Sequence, residues 1–101
     1  MLANEQCHKN LLEELHNTYC IKNKKYGNSF KVSIDEGFSA LGIRVTDKYL
    51  RMKGLLQNSN LFENNADESL RDTLMDMANY CVMGVMSLDE EKQKRGKDGQ
   101  N

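Results

Sequence analysis

The sequence predicts an all-α fold: a small helical bundle of three long helices, with a core completed by dimerisation. Three observations predict it. Apolar residues recur at three- and four-residue spacing in three long stretches, which is the period of a helix with one buried face. No run alternates apolar with polar residues as a half-buried strand does. The 101 residues contain no proline but six methionines, a usage that suits helices better than a turn-rich β fold. A chain of this length makes one domain with a modest core, and a second subunit can cover apolar surface that it cannot bury alone.

The first helix is expected from about Ala3 to Asn23, with Cys7, Leu11, Leu15 and Tyr19 four residues apart and Leu12 beside them. Gly27-Asn28-Ser29 then supplies a stop and a turn. Ser33-Ile34-Asp35-Glu36 reads as a capping box, a hydroxyl followed three residues later by a carboxylate. The second helix should cover Phe38 to Gln57, with Phe38, Leu41, Val45, Tyr49, Met52, Leu55 and Leu56 as its core stripe. Gly42 lies inside it, where a missing side chain permits another backbone to come close. Residues 57–66 make a polar connection anchored by Leu61 and Phe62. Asn65 with Glu68 forms a second capping box, so the third helix starts near Ala66 and runs to Leu88. Its apolar stripe is Leu70, Leu74, Met77, Cys81, Val85 and Leu88. Residues 89–101 contain no large apolar residue and read as a fraying end and disordered tail, leaving 1–88 as the domain.

Several function classes lose support at once. A net charge of -1 gives no global steering toward nucleic acid or an anionic membrane. No stretch reaches membrane-spanning length, and the first residues do not resemble a signal peptide. Cys7, Cys20 and Cys81 are odd in number and lack a CxxC spacing, so free, buried thiols in a reducing cytoplasm are expected. His8 and His16 are read as surface residues of the first helix without a Cys or Glu partner at a metal spacing. Neither a nucleophilic triad nor a glycine-rich phosphate loop is present.

The chemistry that remains is carried by charge. Glu68, Asp72 and Asp76 recur every fourth position and share one side of the third helix. Such a stack is a site for a hard divalent cation such as Mg²⁺, a solvated, ion-paired face, or a partner-binding surface. Met83 lies only about 20° from Asp72 around the helix, and with Val82 and Met86 it carries apolar character toward the acids. That places the carboxylates at the mouth of a packed interface or cleft. Arg44, Lys48 and Arg51 form a basic stripe on the second helix beside Asp47. The stripe suits phosphate recognition and plain interhelical salt bridges equally. Lys22, Lys24 and Lys25 precede Tyr26-Gly27, where they either hold phosphate beside a base-stacking ring or simply complement the helix dipole.

The strings K-N-K-K-Y-G at 22–27, G-I-R-V-T-D-K-Y-L-R-M at 42–52 and E-S-L-R-D-T-L-M-D-M-A-N-Y at 68–80 resemble a phage and bacterial family called nucleotide modification associated domain 1. That family in turn looks like the all-helical, MazG-like nucleoside triphosphate pyrophosphatases. The resemblance spans about residues 18–88 and maps onto Tyr26, Gly27, Asp47, Lys48, Arg51, Glu68, Asp72, Asp76, Asn79 and Tyr80. It implies Mg²⁺-dependent binding, and hydrolysis, of a nucleoside triphosphate in phage nucleotide metabolism, within a cytoplasmic homodimer. Asp72 and Asp76, with Glu68 or Asp47, would hold the metal; Lys48 and Arg51 would neutralise the transferring phosphoryl group. Tyr26, Gly27, Arg44, Asn79 and Tyr80 would bind the rest of the nucleotide. The chain departs from the MazG-like motifs: Glu13-Glu14 lacks the third glutamate, the later acids are spaced by four instead of three, and Lys25 stands where relatives carry an acid. These departures fit an alternative, a non-catalytic helical protein that binds a host or phage protein through its Met-rich helix end.

Overall fold

The computed structural model describes residues 2–27, 38–57 and 60–99. Those residues form three helices and no strand, so the fold is all-α: α1 (Leu2–Tyr26), α2 (Phe38–Leu56) and α3 (Ala66–Gly99). The chain divides into two units, Met1–Val32 with α1 and Ser33–Asn101 with α2 and α3. The expected capping box at Ser33–Glu36 lies outside the described residues.

In the first unit α1 runs one turn beyond its expected end. Lys24 and Lys25 occupy its last turn, where positive charge is favoured by the helix dipole. Gly27 then ends it with φ +56°, its N–H donating to the Asn23 carbonyl at 2.8 Å. A residue without a Cβ takes this left-handed conformation at no steric cost.

The second unit is an antiparallel helical hairpin. Arg51 meets Thr73, Lys48 meets Asp76 and Leu41 meets Gly84, so the two helices run past each other in opposite directions. The sheltered residues of each helix follow the alternating three–four spacing of a coiled-coil seam. In α2 these are Leu41, Val45, Lys48, Met52 and Leu55, all half-buried. In α3 Ala66, Ser69, Thr73, Asp76, Tyr80, Met83 and Ser87 hold that spacing, all buried or half-buried, and Asn79 and Gly84 beside them are buried too.

This α3 seam is not the stripe that the apolar pattern selects. Leu70, Leu74, Met77, Cys81 and Leu88 each sit one residue after a seam position, about 100° round the helix. Leu70 and Met77 are half-buried, whereas Leu74, Cys81, Val85 and Leu88 are exposed. Apart from Tyr80 and Met83, the α3 seam side chains are small or polar, and they face the apolar seam of α2. Gly84 marks the closest approach: a Cβ built there would lie 2.6 Å from Leu41 Cδ2. Gly42, expected to serve that purpose, has nothing within 4 Å of its Cβ position. The three thiols are free but exposed, not buried, because Cys7, Cys20 and Cys81 all lie off the sheltered faces.

The connection between the helices is a turn built from asparagines. Asn64 and Asn65 have φ of 58° and 60°, and the Ala66 N–H donates to the Glu63 carbonyl at 3.2 Å, the pattern of a type I′ turn. Asparagine tolerates this left-handed conformation better than most residues. The Asn65 carbonyl then accepts from the Ser69 N–H at 3.1 Å, opening α3. Leu61 is half-buried, but Phe62 is 80% exposed and does not anchor the loop. At its other end α3 continues to Gly99 through a stretch without large apolar residues. Pairs at i, i+4 support it there, Glu90 with Lys94 at 3.7 Å and Glu91 with Arg95 at 3.1 Å, each adding a few tenths of a kcal/mol.

Candidate functional site

The charged residues of the hairpin meet in the middle of its seam. Lys48 projects from α2 and Asp76 from α3, their Nζ and Oδ2 atoms 3.2 Å apart, with side chains 29% and 25% exposed. One turn along, the Arg51 Nε donates to the Thr73 hydroxyl at 3.2 Å. That hydroxyl donates in turn to the Ser69 carbonyl at 2.7 Å. Thr73 is 2% exposed, the most deeply buried polar side chain among the described residues. Asn79, one turn beyond Asp76, is also buried, and Tyr80 beside it is half-buried.

A polar layer across an otherwise apolar seam usually fixes register, since slipping one helix would strand both charges without partners. Here the layer also concentrates two cations, a carboxylate and one hydroxyl at one edge of the hairpin. Among the described residues no buried side-chain nitrogen or oxygen lacks a partner. An anion arriving at Lys48 therefore competes with Asp76.

The structure separates residues that the sequence grouped together. A spacing of four advances about 40° beyond a full turn, so the acidic column winds off the seam. Asp76 faces α2, but Asp72 and Glu68 are exposed; the deep position one turn below Asp76 belongs to Thr73 instead. Asp47 and Arg44 are exposed on α2, leaving Lys48 and Arg51 as the members of the basic stripe that contact α3. Among the described residues no three His, Cys, Asp or Glu side chains gather into a metal-holding group. Tyr26 and Gly27 belong to the first unit, where Lys25 Nζ stands 5.4 Å from the centre of the exposed Tyr26 ring, a cation–π contact.

Two features escaped the sequence reading. The first is Thr73, whose signal was the three–four spacing of small and polar residues from Ala66 to Ser87. The second lies on α1, where His16 does have a cysteine partner four residues on: its Nε2 is 3.5 Å from Cys20 Sγ. Among the described residues no helix is long and apolar enough to cross a membrane.

No curated protein and no solved structure matches this chain. A family model does match, over residues 22–88, a stretch that includes Tyr26, Gly27, the whole Lys48–Asp76 layer, Asn79 and Tyr80. The chain belongs to the nucleotide modification associated domain 1 family.

Proposed function

We propose that the hairpin edge around Lys48 and Asp76 binds the phosphates of a nucleoside triphosphate together with Mg²⁺, and supports pyrophosphatase-like hydrolysis of the MazG-like kind. The observation that carries this reading is the Lys48–Asp76 pair, a partly sheltered cation and carboxylate with Arg51 one turn away, inside the stretch that matches the nucleotide-associated family. Mg²⁺ asks little of the protein. It commonly keeps several waters, takes one or two carboxylates and completes its shell with substrate phosphate oxygens. Asp76 and Asp72 meet that requirement without a third acid, with Glu68, four residues before Asp72, or Asp47, next to Lys48, as a further candidate. When bound, the metal supplies charge neutralisation and an acidified water.

The chain's own residues then act on the nucleotide. Lys48 exchanges its contact with Asp76 for a phosphate oxygen, and Arg51 and Arg44 extend the positive edge along α2. Their fixed charge lowers the energy of the oxygens that gain charge during phosphoryl transfer. Asn79 and Tyr80 offer an amide and a phenol on the α3 side. A second copy of the chain covers the apolar side of α3, where Leu74, Val85 and Leu88 are 46%, 56% and 55% exposed. The same exposed side favours a second reading, in which a different protein docks there and no nucleotide is turned over.

Calorimetric titration with Mg²⁺ and non-hydrolysable triphosphates tests the proposal on wild type, Asp76→Asn and Lys48→Met. Binding that needs Mg²⁺, disappears in Asp76→Asn and weakens about tenfold in Lys48→Met supports it, tenfold being about 1.4 kcal/mol. Binding that becomes tighter and metal-independent in Asp76→Asn would mean that Asp76 merely restrains Lys48, ending the metal assignment. No heat from the folded wild type with any ligand would end the nucleotide reading.

A further inference from the structure

We propose that His16 and Cys20 form a chelating site for a thiophilic divalent cation, Zn²⁺ being the best fit, on one face of α1. The residues are four apart on a helix, both exposed, with Nε2 and Sγ 3.5 Å from each other. Tetrahedral Zn²⁺, with bonds of about 2.0–2.1 Å to nitrogen and 2.3 Å to sulfur, holds two such donors about 3.6 Å apart. The donor separation therefore already matches the bite of the ion, and chelation asks only that the imidazole turn its Nε2 lone pair from Sγ toward the metal.

The surroundings agree with this assignment. His16 shares the wall of an open cleft of ≈ 370 Å³ with Glu13 and Lys9, one charge of each sign, and solvent reaches both donors because His16 and Cys20 are exposed. Among the described residues no third donor joins the pair into a larger cluster, so water fills the other two positions of the ion. On binding, the Cys20 thiol proton leaves to solvent as the Sγ–Zn bond forms. The Nε2 lone pair makes the second bond, which requires the neutral ring to carry its proton on Nδ1. Imidazole and thiolate select zinc over magnesium, whose preference is for oxygen. Both residues precede the family-matched stretch at 22–88, so this site is independent of the nucleotide reading.

Cobalt substitution tests the site, because thiolate-bound Co²⁺ has a charge-transfer absorption that oxygen-bound Co²⁺ lacks. The reduced full-length chain should develop that band, saturate with one Co²⁺ per chain and lose the band when Zn²⁺ is added. Cys20→Ser should abolish it, and His16→Gln should weaken binding about tenfold or more through loss of the chelate. Cys7→Ser and Cys81→Ser should leave it unchanged. All these positions are exposed, and far-ultraviolet circular dichroism verifies that each variant is folded. Absence of the band in wild type, its survival in Cys20→Ser, or indifference to His16→Gln would each overturn the proposal.

Discussion

Replacing Gly84 with alanine sets helix propensity against packing, and the structure predicts which prevails. Alanine in a helix interior is favoured over glycine by about 0.8–1.0 kcal/mol. Gly42, in α2, has open space around its Cβ position, so Gly42→Ala should realise that gain. At Gly84 the new Cβ would lie 2.6 Å from Leu41 Cδ2 and 3.6 Å from its Cγ. Ordinary contact between such carbons is about 3.5–4.0 Å, so the Leu41 methyl must retreat by about 1 Å. Only the tip of the side chain is obstructed. Turning it off its rotamer costs about 0.5–1.5 kcal/mol, and up to about 3 kcal/mol if the helices must part instead. Gly84→Ala should therefore range from near neutral to about 2 kcal/mol destabilising, about 0.5–3 kcal/mol worse than Gly42→Ala. Both changes carry the same propensity term, so the difference between them isolates the packing. Urea unfolding followed by circular dichroism resolves it, and in thermal unfolding each kcal/mol corresponds to roughly 4–8 °C for a domain of this size. If Gly84→Ala stabilises the chain as much as Gly42→Ala, the close approach of α2 to α3 at Leu41 is wrong.

Two further predictions follow from the seam and from the surface beside it. Thr73→Val keeps the shape of a residue that is 2% exposed but removes the acceptor of Arg51 Nε and the donor to the Ser69 carbonyl. It should lower unfolding stability by about 1–2 kcal/mol, and an unchanged urea midpoint would show that the hydrogen-bonded chain contributes nothing. For the dimer, covering the exposed halves of Leu74, Val85 and Leu88 is worth about 2–4 kcal/mol per subunit. Wild type should sediment as a dimer and the folded Leu74→Glu/Leu88→Glu variant as a monomer; a wild-type monomer at high concentration would leave that face to another partner.

Periodicity located α2, and the Asn65–Glu68 pair located the start of α3, because a helix with one sheltered side writes its three–four spacing directly into the sequence and its N-terminus draws capping residues. It also supplied the basic and acidic stretches from which Lys48, Arg51 and Asp76 come. The ends were less legible. α1 and α3 extend past their last apolar residues on terminal lysines and on i, i+4 ion pairs, which carry no hydrophobic signal. The turn before α3 was expected to use a capping side chain, but its main device is the left-handed backbone of Asn64 and Asn65.

What the sequence determined by itself was the all-α class, the two helices that carry the charges and the residue types available for binding an anion or a metal. Which of those residues meet was decided by the tertiary structure. Neighbouring positions on α3 offer two parallel seams, one apolar and one mostly small or polar around Tyr80 and Met83, and helical period cannot choose between them. Close packing chose the polar seam, since Gly84 admits Leu41 and the Lys48–Asp76 pair needs that rotation of α3 to form. About 100° of rotation moves Asp76 and Thr73 to α2, leaves Asp72 and Glu68 outside, and turns the apolar stripe into a surface.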